Sequence, residues 1–261
     1  MTDQHSTIRA LRGATRAAFT LIETVAAIAV VVMLLGMLLP ALNHSRFQAR
    51  QSACQLGLQQ LGVAMNAYVV DNRDYLPYGP KAPPPSATNF YPLTGNVTSL
   101  ISLQKGAPVG LGLLLDDYLT GKKELLFCPG ADEKWDTQAS LAAVGKTQVE
   151  GSYYYRHASV STLSGPLPIP KMEVGRLGKN RKGRPIRCLV MDSQFIAPPA
   201  LAVFNLQSRT HHLRRFVNAL HTDGHVSNHK NDNERFTVNI SASVYQTLDR
   251  ILEIFESLDG K

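Results

Sequence analysis

Across 261 residues there are only three cysteines and one tryptophan, and 7% of positions are aromatic. Cys54, Cys128 and Cys188 form no CxxC pair and no zinc-finger spacing, so neither a redox dithiol motif nor a linear zinc module is written into the chain. GxSxG, HExxH and the Walker A pattern are also missing, which removes the nucleophile elbow, the zincin helix and the P-loop. An enzyme is therefore not expected, and neither a cofactor nor a small-molecule substrate is implied. No internal repeat is apparent, which excludes a solenoid. Net charge is +7, but the basic residues are dispersed. The densest segment, Arg176 to Arg187, is broken by Gly and Pro and has no aromatic side chain on which a base could stack. It reads as a solvated loop, and nucleic acid is not an expected partner.

What the chain does have is one long apolar run, Phe19 to Leu42, preceded by Arg9, Arg12 and Arg16 and almost no acidic residues. A secretory signal would have an apolar core of roughly 7 to 15 residues closed by a small-residue cleavage site. This run continues past that length with no such site before Asn43. A membrane helix needs roughly 20 apolar residues, which the run supplies, and the basic flank orients its start toward the cytoplasm. Glu23 is the anomaly, because an acid near the start of a membrane helix costs ~2 kcal/mol or more and an ordinary anchor rarely keeps one.

Phe19, Thr20, Leu21, Ile22 and Glu23 ahead of a membrane helix resemble the class III signal of type IV pilins and type II secretion pseudopilins. The resemblance implies that prepilin peptidase cuts between Ala18 and Phe19, methylates the new amino group of Phe19 and leaves the helix in place. It also implies an assembly role for Glu23. Ala18 stands where that family usually has Gly, and Pro40 sits where pilins often carry a helix-disrupting Pro. The stretches from Ala49 to Pro77, Leu111 to Glu133, Gly151 to Arg156, Cys188 to Ser193 and Asn218 to Val226 resemble a group of such proteins with a C-terminal element of His, nine residues, then Asp-Gly. Here ten residues separate His212 from Asp223-Gly224.

Phe47, Cys54, Leu58, Leu61, Met65 and Tyr68 recur at spacings of 3, 4 or 7, which predicts that the helix continues beyond the apolar run with one buried stripe, ending near Asp71 to Asp74. A long irregular loop with three consecutive prolines follows near residues 77–96. Leu111 to Leu119 reads as a short helix, and Leu125 to Cys128 as a strand entering a turn. Further strands are expected around Tyr153 to Tyr155 and from Ile186 to Met191. Asp223-Gly224 between Phe216–Leu220 and His225–Ser227 is a hairpin signal. Ser241 to Leu258, with Val244, Leu248, Ile251, Leu252, Phe255 and Leu258 on one face, predicts a closing amphipathic helix.

Two weaker constellations remain. His221 and His225 would stand together across the hairpin and, with Asp223, offer ligands to a transition metal, although a His-rich hairpin with no ligand is the plainer reading. If Leu56 and Leu58 face the domain, Cys54 could reach Cys128, and an oxidising compartment would permit a bridge; other pairings and free buried thiols stand as alternatives.

The expected fold is α+β and pilin-like: a leader (1–18), a membrane helix (19–42), its extension (43–73) and a small antiparallel-sheet extracytoplasmic domain (74–261). The expected function is a pilin-like structural subunit of a type II secretion pseudopilus or related envelope filament. Its implied partners are prepilin peptidase, other pilin-like subunits, the secretion machinery and inner-membrane lipid. It would cross the inner membrane once, N-terminus cytoplasmic and C-terminal domain periplasmic. The rival reading is a single-pass anchored periplasmic binding module that does not polymerise, and a tethered enzyme would need metal at the His hairpin.

Overall fold

The computed structural model describes residues 20–78, 97–103, 105–133, 136–156, 173–199, 208–239 and 244–260. Ala18, Phe19 and most of the proline-rich segment therefore lie outside the described residues. The fold is α+β: one long apolar N-terminal helix and a small, mainly antiparallel sheet domain. The chain divides into two compact units at Arg46 and Phe47.

Helix α1, Leu21–Asp71, is 51 residues long and continues on both sides of Pro40. Its first half holds β-branched residues, Val30 to Val32 among them, that lower helix propensity in water. In an apolar medium the backbone has no partner but itself, and the helix becomes the only way to satisfy it. This half is long and apolar enough to cross a membrane, with a mean hydropathy of 2.7 over its best window and none of that window buried. Leu21 to Leu42 would span about 33 Å at 1.5 Å per residue, against about 30 Å of hydrocarbon in a bilayer.

The second unit, Phe47–Lys261, is built on a five-stranded sheet in the order β1-β2-β3-β5-β6, antiparallel at every pairing. The strands are β1 (Val97–Ser102), β2 (Val149–Arg156), β3 (Cys188–Asp192), β5 (Phe216–His221) and β6 (Val226–Lys230). A short parallel pair, β4 (Phe195–Ile196) and β7 (Val238–Asn239), lies beside it, with helices α2 (Thr137–Ala143) and α3 (Val244–Leu258). β2 alternates as a strand buried on both faces must: Tyr153 and Tyr155 join the core formed with α1, and Tyr154 joins the core formed with α3.

On the first face the predicted stripe of α1 is buried at Cys54, Leu58, Leu61 and Met65, with Tyr68 partly buried against it. Leu56, expected alongside Leu58, is instead 57% exposed, because two residues of helix turn it to the opposite side. Gly62 permits the close approach to β5: a Cβ there would lie 3.0 Å from a methyl of Leu220. On the second face Ile251, Leu252, Ile254, Phe255 and Leu258 of α3 cover Cys188, Met191, Val217 and Ala219.

Three local expectations need correction. Leu125 to Cys128 is not a strand: Lys123–Leu126 forms a 3-10 turn, its short apolar run facing inward without a strand partner. Leu111 to Leu119 is a 3-10 turn over Gly110–Leu114 followed by turns, not one helix. The basic segment from Arg176 to Arg187 is more than a solvated loop. Arg181 pairs with Asp249 and with Glu256, the latter at 2.7 Å, and Asn180 is buried against Asp259.

Beyond α3, Asp259 is the hub of a buried polar knot. Its carboxylate accepts from Arg156 Nη1 at 2.9 and 3.0 Å, from Asn180 Nδ2 at 2.9 Å, and from the backbone N–H groups of Arg187 and Cys188 at 2.9 and 3.0 Å. The knot ties α3 to β2 and to the start of β3.

Candidate functional site

At the start of α1 the Glu23 carboxylate accepts hydrogen bonds from the backbone N–H and the hydroxyl of Thr20, both at 2.9 Å. The Glu23 N–H in turn donates to Thr20 Oγ1 at 3.3 Å. This is a reciprocal capping box, two otherwise orphaned donors satisfied at once. Its signature, Thr followed three residues later by Glu, is readable in the sequence and gives Glu23 a local use beside any role in assembly.

The hairpin brings His221 and His225 together as the turn requires, with rings stacked at 4.2 Å and 3° apart. His221 Nε2 meets Ser227 Oγ at 2.7 Å, and His225 Nδ1 meets Asp223. Parallel stacked rings do not aim their lone pairs at one point, and each has a polar neighbour already. His221 is buried, and that burial, helped by the nearby His225 and Arg187 against Asp223 and Asp259, lowers its pKa. A neutral imidazole favoured by folding stabilises the domain above the unfolded value of about 6.5, and this contribution is lost as pH falls through the lower folded value. Thermal melts of the parent should therefore show a drop from pH ~7.5 to ~5.5 that is smaller in His221→Gln; equal drops would place the acid sensitivity elsewhere.

A second cluster, which no linear spacing announces, lies between α1 and the sheet. Cys54 comes from α1, Cys128 from the loop after the 3-10 turn, Asp192 from the end of β3 and His212 from the turn before β5. The loops meet through a bridge between Ala131 and His211 and through the His212 N–H donating to Gly130 O at 2.8 Å. Residues His212, Leu213 and Arg214 all have φ between 54 and 56°, a left-handed run that non-glycine residues adopt at a cost of order 1–2 kcal/mol each. Gly130 must be glycine, since a Cβ would stand 2.3 Å from the His212 ring.

His212 Nε2 lies 3.4 Å from Cys128 Sγ, 3.5 Å from Asp192 Oδ2 and 3.2 Å from Asn218 Nδ2. Cys54 Sγ lies 3.4 Å from Asp192 Oδ1 and 3.6 Å from Tyr153 OH. Asn218 fixes Asp192 by donating from its backbone at 2.9 Å and from its side chain at 2.8 Å. His212 Nδ1 is buried with no hydrogen-bond partner among the described residues.

Burial by itself would raise Asp192, but His212, His211 and the Asn218 N–H groups outweigh it and hold the carboxyl below its usual range. Burial likewise disfavours charge on His212, yet the Asp192 carboxylate and Cys54 raise the imidazole to about 10. Burial pushes both thiols up, Cys54 strongly. A thiol held neutral and enclosed lacks the thiolate character of an activated nucleophile. All three cysteines are free; Cys54 and Cys128 lie within 4.8 Å by their sulfurs, and no bond joins them.

No family model, curated protein or solved structure matches this chain.

Proposed function

We propose that the protein is a pilin-like subunit of a type II secretion pseudopilus or related envelope filament, anchored in the inner membrane with its sheet domain on the periplasmic side. The observation that carries this reading is the division of labour along α1. Its first half exposes an apolar surface all round, Leu21 at 84% among others, while the second half buries a single stripe in the domain core. A helix apolar all round belongs in lipid or in a bundle of its own kind, and one with a single stripe belongs on a domain. The Phe19 to Glu23 signal adds the processing step.

The test is the mass of the mature chain. Protein extracted from membranes of cells with an active prepilin peptidase should lack Met1 to Ala18 and carry one methyl group on Phe19. A retained leader removes the pilin-like reading and leaves the anchored, non-polymerising module. That second reading draws on the Thr20–Glu23 cap, which gives the carboxylate a partner without any neighbouring subunit.

A further inference from the structure

We propose that Cys54, Cys128, Asp192 and His212 form a structural zinc site that clasps α1 and two loops to the sheet. The proposal does not depend on the pilin-like reading. Two thiols, an imidazole and a carboxylate place their ligand atoms within 4.8 Å of one another, and all four side chains are buried. Around a tetrahedral zinc with bonds of ~2.0 to 2.3 Å, neighbouring ligand atoms stand roughly 3.3 to 3.8 Å apart. Cys54 Sγ stands 3.4 Å from Asp192 Oδ1 and Cys128 Sγ 3.4 Å from His212 Nε2, both of edge length, while the other carboxylate oxygen, Oδ2, lies 3.5 Å from His212 Nε2 and is held by Asn218. A direct charge-assisted hydrogen bond between imidazolium and carboxylate closes to about 2.7 to 2.9 Å. The 3.5 Å between His212 Nε2 and Asp192 Oδ2 is too open for that bond, so the carboxylate does not tie up the imidazole nitrogen.

The chemistry of the donors selects the metal. Thiolate and imidazole favour zinc, whereas calcium and magnesium take six or more ligands, nearly all oxygen. Four protein ligands fill the tetrahedron and leave no open position, which marks a structural site and not a catalytic one. On binding, Zn2+ displaces the two thiol protons and any proton on His212 Nε2 and forms two Zn–S bonds, one Zn–N and one Zn–O bond.

The surroundings are those of a built site. Asn218 holds Asp192 through two donors and is itself held by Gln55 and Asn228, whose side-chain amides both donate to its Oδ1. Such outer partners orient a ligand before the metal arrives. Gly130 lets the His212 ring lie against the backbone, and the left-handed run at His212 aims it inward. A surface cleft between α1 and the 121–129 segment, lined by Gly57, Lys122 and Pro129, ends on Tyr153, whose hydroxyl touches Cys54.

The experiment uses the full chain extracted in detergent without chelator. Elemental analysis should find one zinc per chain, and replacement by Co2+ should give the strong visible bands of tetrahedral thiolate ligation. Cys128→Ser should abolish both signals, whereas Cys188→Ser, whose thiol lies in the core on the other face of the sheet, should keep them. If Cys128→Ser fails to fold, Asn218→Ala decides: it retains all four ligands and should bind zinc roughly 10- to 100-fold more weakly. Any of three results overturns the proposal: no zinc in the parent and no rise in its melting temperature on adding zinc, a Cys54–Cys128 disulfide in the native chain, or zinc retained in full by Cys128→Ser.

Discussion

Asp259→Ala is expected to destabilise the sheet domain by about 3 to 5 kcal/mol, the usual result of stranding one half of a buried ion pair. Arg156 is 4% exposed at its side chain and Asp259 0%, so water cannot replace the lost carboxylate. The alanine variant also orphans the Arg187 and Cys188 N–H groups and the Asn180 amide. Asp259→Asn should fall between, since its one amide oxygen can take the place of Oδ1 for Arg156, Arg187 and Cys188 but leaves Asn180 without an acceptor and the guanidinium unbalanced. The measurement is the midpoint of chemical denaturation at unchanged slope. An alanine variant within ~0.5 kcal/mol of the parent would mean that Arg156 finds another partner or reaches solvent.

Glu23→Leu should insert into the membrane at least as well as the parent and yet fail to enter filaments. Two uses of the carboxylate compete. The cap to Thr20 is worth roughly 1 kcal/mol, whereas an amino group left unmatched in a filament core costs roughly 3 to 5 kcal/mol. If the pilin-like reading holds, the carboxylate therefore leaves Thr20 for the new amino group of a neighbour's Phe19. Glu23→Gln separates the uses, because glutamine also completes a capping box but carries no charge. It should assemble as poorly as Glu23→Leu. If the glutamine variant forms filaments and supports secretion like the parent, the cap is the whole role of Glu23.

What the sequence revealed and what it hid divide along physical lines. The stripe from Cys54 to Met65 and the apolar face of α3 were legible because a helix repeats its buried positions every three or four residues. The β5–β6 hairpin was legible from Asp223-Gly224, where the turn needs a glycine at φ +84°. Leu125 to Cys128 misled because a four-residue apolar run buries equally well in a 3-10 turn. Arg181 misled because its acid partner Glu256 lies 75 residues away, and a charge run looks solvated until its counter-charge folds back. Cys54 reaching Cys128 was open to sequence reading, but their meeting with Asp192 and His212 was beyond it for the same reason. The four residues come from four separate segments, each with an ordinary local context, and only the fold makes them neighbours.

That dispersal also has a consequence in time. Asp192 is 138 residues beyond Cys54, and at synthesis rates of about 5 to 20 residues per second it is made roughly 7 to 28 s later. Through most of that interval the Leu58, Leu61 and Met65 stripe is only partly covered, since β1 and β2 come first and β3 and β5 do not yet exist. An amphipathic segment in that condition settles on the nearest apolar boundary, which, if Leu21 to Leu42 anchors the chain as proposed, is the bilayer surface at its own doorstep. The domain would then assemble by peeling α1 off the lipid, so that a chain stalled before residue 192 stays pressed to the membrane and open to proteases there.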